Sequence, residues 1–154
     1  MPLDVVPTVE MTFSESSRFT LSNNDSDPNW KTLYTKLFGT GFHHIGPYQF
    51  RFITGAYHSL HCVYNMHMAL DKPHHLEHQD HHYVHCLMYL QQIFLCNADM
   101  TLEVGDFMAR NMTTDRVGPT RRCRDWSTAE NWIETNFREW AESNGVHLDA
   151  RLDQ

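Results

Sequence analysis

The chain has 154 residues, 41% of them hydrophobic and 12% aromatic, enough apolar material for one domain and too short for two independent cores. Twelve Lys and Arg against 19 Asp and Glu leave a formal charge of −7, which repels phosphate backbones and anionic membrane surfaces and argues against nucleic acid as a partner. The longest apolar runs, Cys86 to Leu90 and Ile93 to Cys96, are far shorter than the roughly 18 residues a membrane-spanning helix needs, and no targeting segment is recognisable.

Residues 1–26 read as an extended arm, with alternating prolines, β-branched and small polar residues and room for one short edge strand. Asp27-Pro28 is an N-cap followed by a first-turn proline, and Trp30, Leu33, Tyr34 and Leu37 follow at helical spacing until Gly39. Gly41, Gly46 and Pro47 break the chain before Tyr48 to Ile53, whose alternation predicts one half-buried strand. A helix is expected from about Tyr57 to Leu70, stopped by Pro73, and a second from Leu76–His81 to Cys96 with a broad apolar face. Asp99 to Pro119 reads as a long irregular segment. The last helix, about 126–144, has a capping box at Ser127 to Glu130, a stripe of Ala129, Trp132, Ile133, Phe137 and Trp140, and a left-handed stop at Asn144-Gly145. The expected architecture is mainly α: a small helical domain over 1–154 with irregular loops and at most one or two short strands.

Nine of the 12 histidines fall between His58 and His85. Within that stretch His58-Ser-Leu-His61-Cys62 and His82-Tyr-Val-His85-Cys86 repeat the pattern His-x-x-His-Cys at an offset of 24 residues. Residues three apart share a helix face with Cβ atoms about 5–6 Å apart, so two such helices, the pair spanning 57–96, present His58, His61, His82 and His85 as four nitrogen ligands. Imidazole suits copper, zinc, iron and nickel rather than magnesium or calcium. Without an obvious carboxylate the set favours copper or zinc over a non-haem iron triad; His78-Gln79-Asp80 holds the His-x-Asp pair of some iron oxygenases, but in a helical setting. Structural zinc sites usually use Cys, so an all-imidazole set points to a working metal, with copper ahead of zinc and iron.

Cys62 and Cys86 share the metal-facing side of their helices, which brings the two sulfurs close if the helices pack face to face. Cys96 lies about 15 Å along the helix from Cys86, too far to bridge it, so Cys62–Cys86 with Cys96–Cys123 is the expected disulfide pairing. The alternative makes Cys62 and Cys86 thiolate ligands. Asn24-Asp25-Ser26 and Asn111-Met112-Thr113 fit the glycosylation pattern and, with the even cysteine count, suggest a secretory compartment. Tyr57, Tyr64, Tyr83 and Tyr89 lie near the motifs as substrate contacts, radical carriers or core residues. Asp99 and Asp125 are candidates to orient ligand imidazoles, or to cap chain reversals. The remaining histidines read as solvated, at His74, His75, His78 and His81, or isolated, at His43, His44, His67 and His147.

At these motifs the sequence resembles the UstYa-like family of fungal secondary-metabolite oxidases. The resemblance runs through Phe13 to Phe19, Asp27 to Leu33 and Gly39 to Gly46. It continues through Tyr57 to Cys62, His82 to Leu87 with Tyr89-Leu90, Cys96 to Glu103, and Arg121 to Trp126. Gln91 departs from the Arg often found after the leucine. The resemblance implies a copper-dependent oxidase or oxygenase acting with O₂ on a peptide or small natural product, by dehydrogenation, hydroxylation, halogenation or oxidative cyclisation. It also implies work in the secretory pathway lumen, or secreted, with any membrane attachment through an N-terminal anchor not present in this chain; a homo-oligomer is compatible with it. A copper- or zinc-binding protein without turnover, or an interaction module, is the alternative. A metallohydrolase lacks support, because no His-Glu-x-x-His or carboxylate-bridged motif is present.

Overall fold

The extended arm closes onto a segment more than 100 residues away. In the computed structural model, which describes residues 6–21, 26–35, 41–72, 76–102, 111, 114 and 116–146, β1 (Thr8–Ser14) pairs antiparallel with β4 (Val117–Arg124). Thr8 lies opposite Arg124 and Thr12 opposite Thr120, whose hydroxyls meet at 2.6 Å. The ladder is irregular between Thr12 and Ser14, and that irregularity absorbs Gly118-Pro119, since proline donates nothing to a ladder and is tolerated at bulges. The arm then runs through a short 3-10 turn, Ser17–Phe19, into α1 (Ser26–Thr35). The Asp27 side chain and residues 36–40, where this helix was expected to continue, lie outside the described residues.

Gly41 and Gly46 are not simple breaks: they bracket β2 (Phe42–Ile45), which forms a hairpin with β3 (Phe50–Ile53) across the turn 46–49. Two long helices follow. Thr54 caps α2 (Gly55–Asp71), its hydroxyl accepting the Tyr57 N–H, and α3 (Leu76–Cys96) returns antiparallel against it. The final helix, α4 (Trp126–Ser143), ends at Gly145 with φ +64°. Among the described residues none of the helices is long and apolar enough to cross a membrane.

Among the described residues the fold is mostly helical, as expected, but mixed rather than purely helical: it has four strands in two small sheets where at most one or two short strands were expected. β4 escaped the period-2 reading because it carries Gly, Pro and four charged or polar positions instead of alternating apolar residues. β2 escaped it because its four residues contain two histidines. Both histidines are buried, with His44 stacked on Trp140 at 3.9 Å and His43 against Trp132, so α4 covers the hairpin. Asn136 from α4 completes the edge: its Oδ1 accepts the His44 N–H at 2.7 Å and its Nδ2 donates to the His44 carbonyl at 2.9 Å. The capping box expected at Ser127 is displaced by two residues; Asp125 is the N-cap, accepting from the Ser127 N–H and the Thr128 hydroxyl.

Two core clusters hold these layers together. Tyr57 and Ile133 pack with Trp126 and Trp132 where α2 meets α4, while Cys62, Cys86 and Leu90 pack with Val63, Met66 and Tyr89 between α2 and α3.

Candidate metal centre

The seam between α2 and α3 gathers the repeated motifs. Because the helices are antiparallel and each motif repeats at i, i+3, the order of partners inverts: His61 meets His82, and His58 meets His85. The ring centroids are 5.4 Å apart in the first pair and 5.5 Å in the second, and 6.4 Å separates His58 from His61 along α2. His61 Nε2 and His82 Nε2 face each other at 3.3 Å. For metal–nitrogen bonds of about 2.0–2.1 Å at a tetrahedral angle, two ligand nitrogens stand roughly 3.3–3.4 Å apart, so this pair already has the spacing of two ligands on one ion. As the side chains stand, no three His, Cys, Asp or Glu among the described residues surround a common point closely enough to hold an ion. The seam thus consists of two cross-helix pairs, each able to supply two donors.

Electrostatics disfavours protonation of the two histidines on α2. Burial lowers the pKa of His58, and the neighbouring His85 and His82 lower it further; burial likewise lowers His61, followed by His82, His58 and His85. Both effects disfavour imidazolium and keep the two rings neutral near neutral pH.

Two further residues belong to the seam: Tyr89, already a candidate from its place near the second motif, and Asn65, which the sequence did not single out. Tyr89, four residues after His85, lays its ring over His58 with centroids 3.9 Å apart, and its hydroxyl donates to the Gly55 carbonyl at 3.2 Å. Asn65, four residues after His61, places its Nδ2 3.0 Å from His61 Nε2 and 2.9 Å from the His61 carbonyl oxygen. The i+4 spacing from a motif histidine was the available clue in both cases.

Other candidates fall elsewhere. Tyr57 packs on Trp126 and Ile133 in the α2–α4 core, where burial, then Glu130 and Glu134, raise its pKa. Tyr83 is buried, its ring 6.3 Å from that of His82. Asp125 is spent on the α4 cap, and Asp99 on the Thr101 N–H and on Arg121, which are the chain-reversal roles rather than contacts with the imidazoles. His67 is buried against Trp30, stacked at 4.8 Å, and serves α1–α2 packing. His81 is exposed on α3, while His74, His75 and His147 lie outside the described residues.

The four cysteines are thiols in this structure. Cys62 and Cys86 are fully buried beside one another, and burial pushes the Cys62 thiol up to about 12, helped by its hydrogen bond with Cys86. That juxtaposition is the one expected for the first pairing. Cys96 is exposed and Cys123 half-buried on β4.

On the side of α2 away from the histidines, a cavity of about 640 Å³ is lined by apolar side chains including Met11, Phe13, Leu33, Leu90, Phe94 and Trp126. A smaller one of about 280 Å³ shares Ala56, Arg124 and Trp126 with it and reaches Gly55, the residue whose carbonyl holds the Tyr89 hydroxyl.

A family model described as mycotoxin biosynthesis protein UstYa matches residues 12–136. Comparison with curated proteins and with solved structures gives no match. The matched region contains both His-x-x-His-Cys motifs, the paired helices that carry them and most of α4. With that match over most of its length, and with the motifs meeting along one seam, the chain belongs to the UstYa family of mycotoxin biosynthesis proteins.

Proposed function

We propose that this protein is a copper-dependent oxidase or oxygenase of mycotoxin or related secondary-metabolite biosynthesis, oxidising C–H bonds of a peptide or small natural product with O₂. The observation that carries the reading is the facing pair His61 Nε2 and His82 Nε2 at 3.3 Å, with His58 and His85 beside it. His58, His61, His82 and His85 would hold the copper, an ion that imidazole suits and that, when bound, supplies one-electron redox chemistry zinc lacks. The chain's own contribution is to keep His58 and His61 neutral by burial, to fix the His58 ring under Tyr89 and to hold the two helices in register through the buried Cys62, Cys86 and Leu90 cluster. We place the protein in the secretory pathway lumen or outside the cell, which fits the Asn111 sequon on an exposed residue.

The test is metal analysis with electron paramagnetic resonance of protein loaded anaerobically with copper and then exposed to air. Copper at one or two ions per chain, oxidised on exposure, supports the reading. Full occupancy by zinc with copper refused overturns the redox assignment and leaves a metal-binding protein without turnover.

A further inference from the structure

We propose that Asn65 is a positioning residue of the histidine seam: its carboxamide holds His61 in the tautomer whose Nε2 is unprotonated and turned toward His82.

The orientation of the carboxamide is set by its own partners. Asn65 Nδ2 lies 2.9 Å from the His61 carbonyl oxygen, and only the NH₂ end of an amide can donate to that acceptor. The same nitrogen lies 3.0 Å from His61 Nε2. An amide nitrogen has no lone pair to offer, so this second contact is a hydrogen bond only when His61 Nε2 carries no proton; the ring proton is then on Nδ1. One NH₂ group thus serves the backbone with one hydrogen and selects the ring tautomer with the other.

The placement is not one that helix stability explains. Asparagine in a helix interior competes with the backbone and is a poor helix former, and back-bonding to the i−4 carbonyl bends helices rather than strengthening them. At position 65, however, the i+4 spacing sets the carboxamide over the His61 ring on the half-buried seam. Histidine in water prefers the opposite tautomer, with the proton on Nε2. Without Asn65 the nitrogen that faces His82 at 3.3 Å would carry a hydrogen, and a cation would have to displace it before binding. With Asn65 no ring proton has to move: the single Nε2 lone pair accepts the amide hydrogen, which an incoming ion displaces. That an ion takes this nitrogen rests on the copper reading above; the tautomer does not.

The experiment compares wild type, Asn65→Leu and Asn65→Asp. Leu removes both donors, whereas Asp keeps the shape and can only accept, so it hydrogen-bonds to Nε2 only when the proton sits there. Long-range proton–nitrogen NMR of the metal-free proteins above pH 7 reads the His61 tautomer directly. The expected result is Nδ1–H with bare Nε2 in wild type, Nε2–H in Asn65→Asp, and a shift toward Nε2–H in Asn65→Leu. If His61 keeps the same tautomer in wild type and in Asn65→Asp, the proposal is overturned, and that comparison decides even if Asn65→Leu fails to fold. If wild type takes neither zinc nor copper while the tautomer still follows residue 65, the function proposed for the seam falls and the role of Asn65 stands.

Discussion

Gly41 lies flat against the ring of Tyr57: a Cβ at Gly41 would stand 2.3 Å from the Tyr57 Cγ, and the backbone there has φ +77°. Both facts demand glycine, one because the buried Tyr57 ring cannot retreat and the other because side chains disfavour that backbone region. Gly41→Ala should therefore cost about 2–4 kcal/mol, combining overpacking with positive-φ strain. A urea-unfolding midpoint within experimental error of wild type would contradict this contact.

Tyr57→Phe should behave in the opposite way. The Tyr57 hydroxyl is buried without a hydrogen-bond partner, and an unsatisfied buried polar group costs roughly 1–3 kcal/mol, so its removal is expected to leave stability unchanged or raise it. Metal content should not change, because Tyr57 faces Ile133 and Trp126. A Tyr57→Phe protein with reduced copper per chain would return this residue to the site.

The cross-helix pairing makes a specific demand on mutagenesis. Replacing His61 and His82 together, or His58 and His85 together, should remove nearly all bound copper and turnover. Replacing all four should do little more, because groups acting as a unit are strongly non-additive. His74→Ala with His75→Ala should leave both quantities near wild type. Copper per chain in these four variants (two paired, one quadruple, one control) is the measurement; full copper in the His61/His82 variant would show the seam to be packing alone.

Acid should weaken both the fold and the site. His43, His44, His58 and His61 all have pKa values lowered below the ordinary 6.5, chiefly by burial. Between 6.5 and those lowered values the unfolded chain binds more protons than the native one, so stability is full above about pH 6.5 and declines as the pH falls through that window. His58 and His61 should keep neutral, metal-competent rings below pH 6.5 until their lowered values are crossed. Unfolding midpoints of metal-free protein at a series of pH values from 8 to 5 check the first statement. Flat stability across that range would contradict it.

Thiol chemistry should sort the cysteines by environment. Reaction proceeds through the thiolate, so exposed Cys96 is expected to be alkylated first under native, reducing conditions. Cys62, buried and pushed up to about 12, should resist until the protein unfolds, and Cys86 beside it is equally inaccessible. Mass spectrometry of iodoacetamide-treated protein over time gives the order. Early labelling of Cys62 would contradict the α2–α3 packing.

Long helices with strong periodicity were legible without the fold, and so was the repeat they carry. Ile133 and Trp132 on α4 follow the stripe read from spacing, and α2 stops before Pro73 as its ring chemistry requires. The strands were harder because each is paid for by something outside itself: β2 by the Asn136 carboxamide and the indoles of α4, β4 by an arm far away in the chain. The same applies to the seam. Its four histidines announce themselves by repetition, whereas Tyr89 acts through a contact that exists only once two helices lie antiparallel, Asn65 through a same-helix contact marked only by its i+4 spacing from His61, and Asp99 and Asp125 are drawn to nearer partners on the surface.

The pairing of Thr8–Ser14 with Val117–Arg124 sets an order of events during synthesis. A ribosome extends the chain from the N-terminus, so the first strand waits, unpaired, while more than 100 further residues are made. The contacts between the two histidine-bearing helices span only a few tens of residues and close far sooner, since short loops carry the smaller entropy cost. The histidine seam is thus assembled before the terminal ribbon zips up.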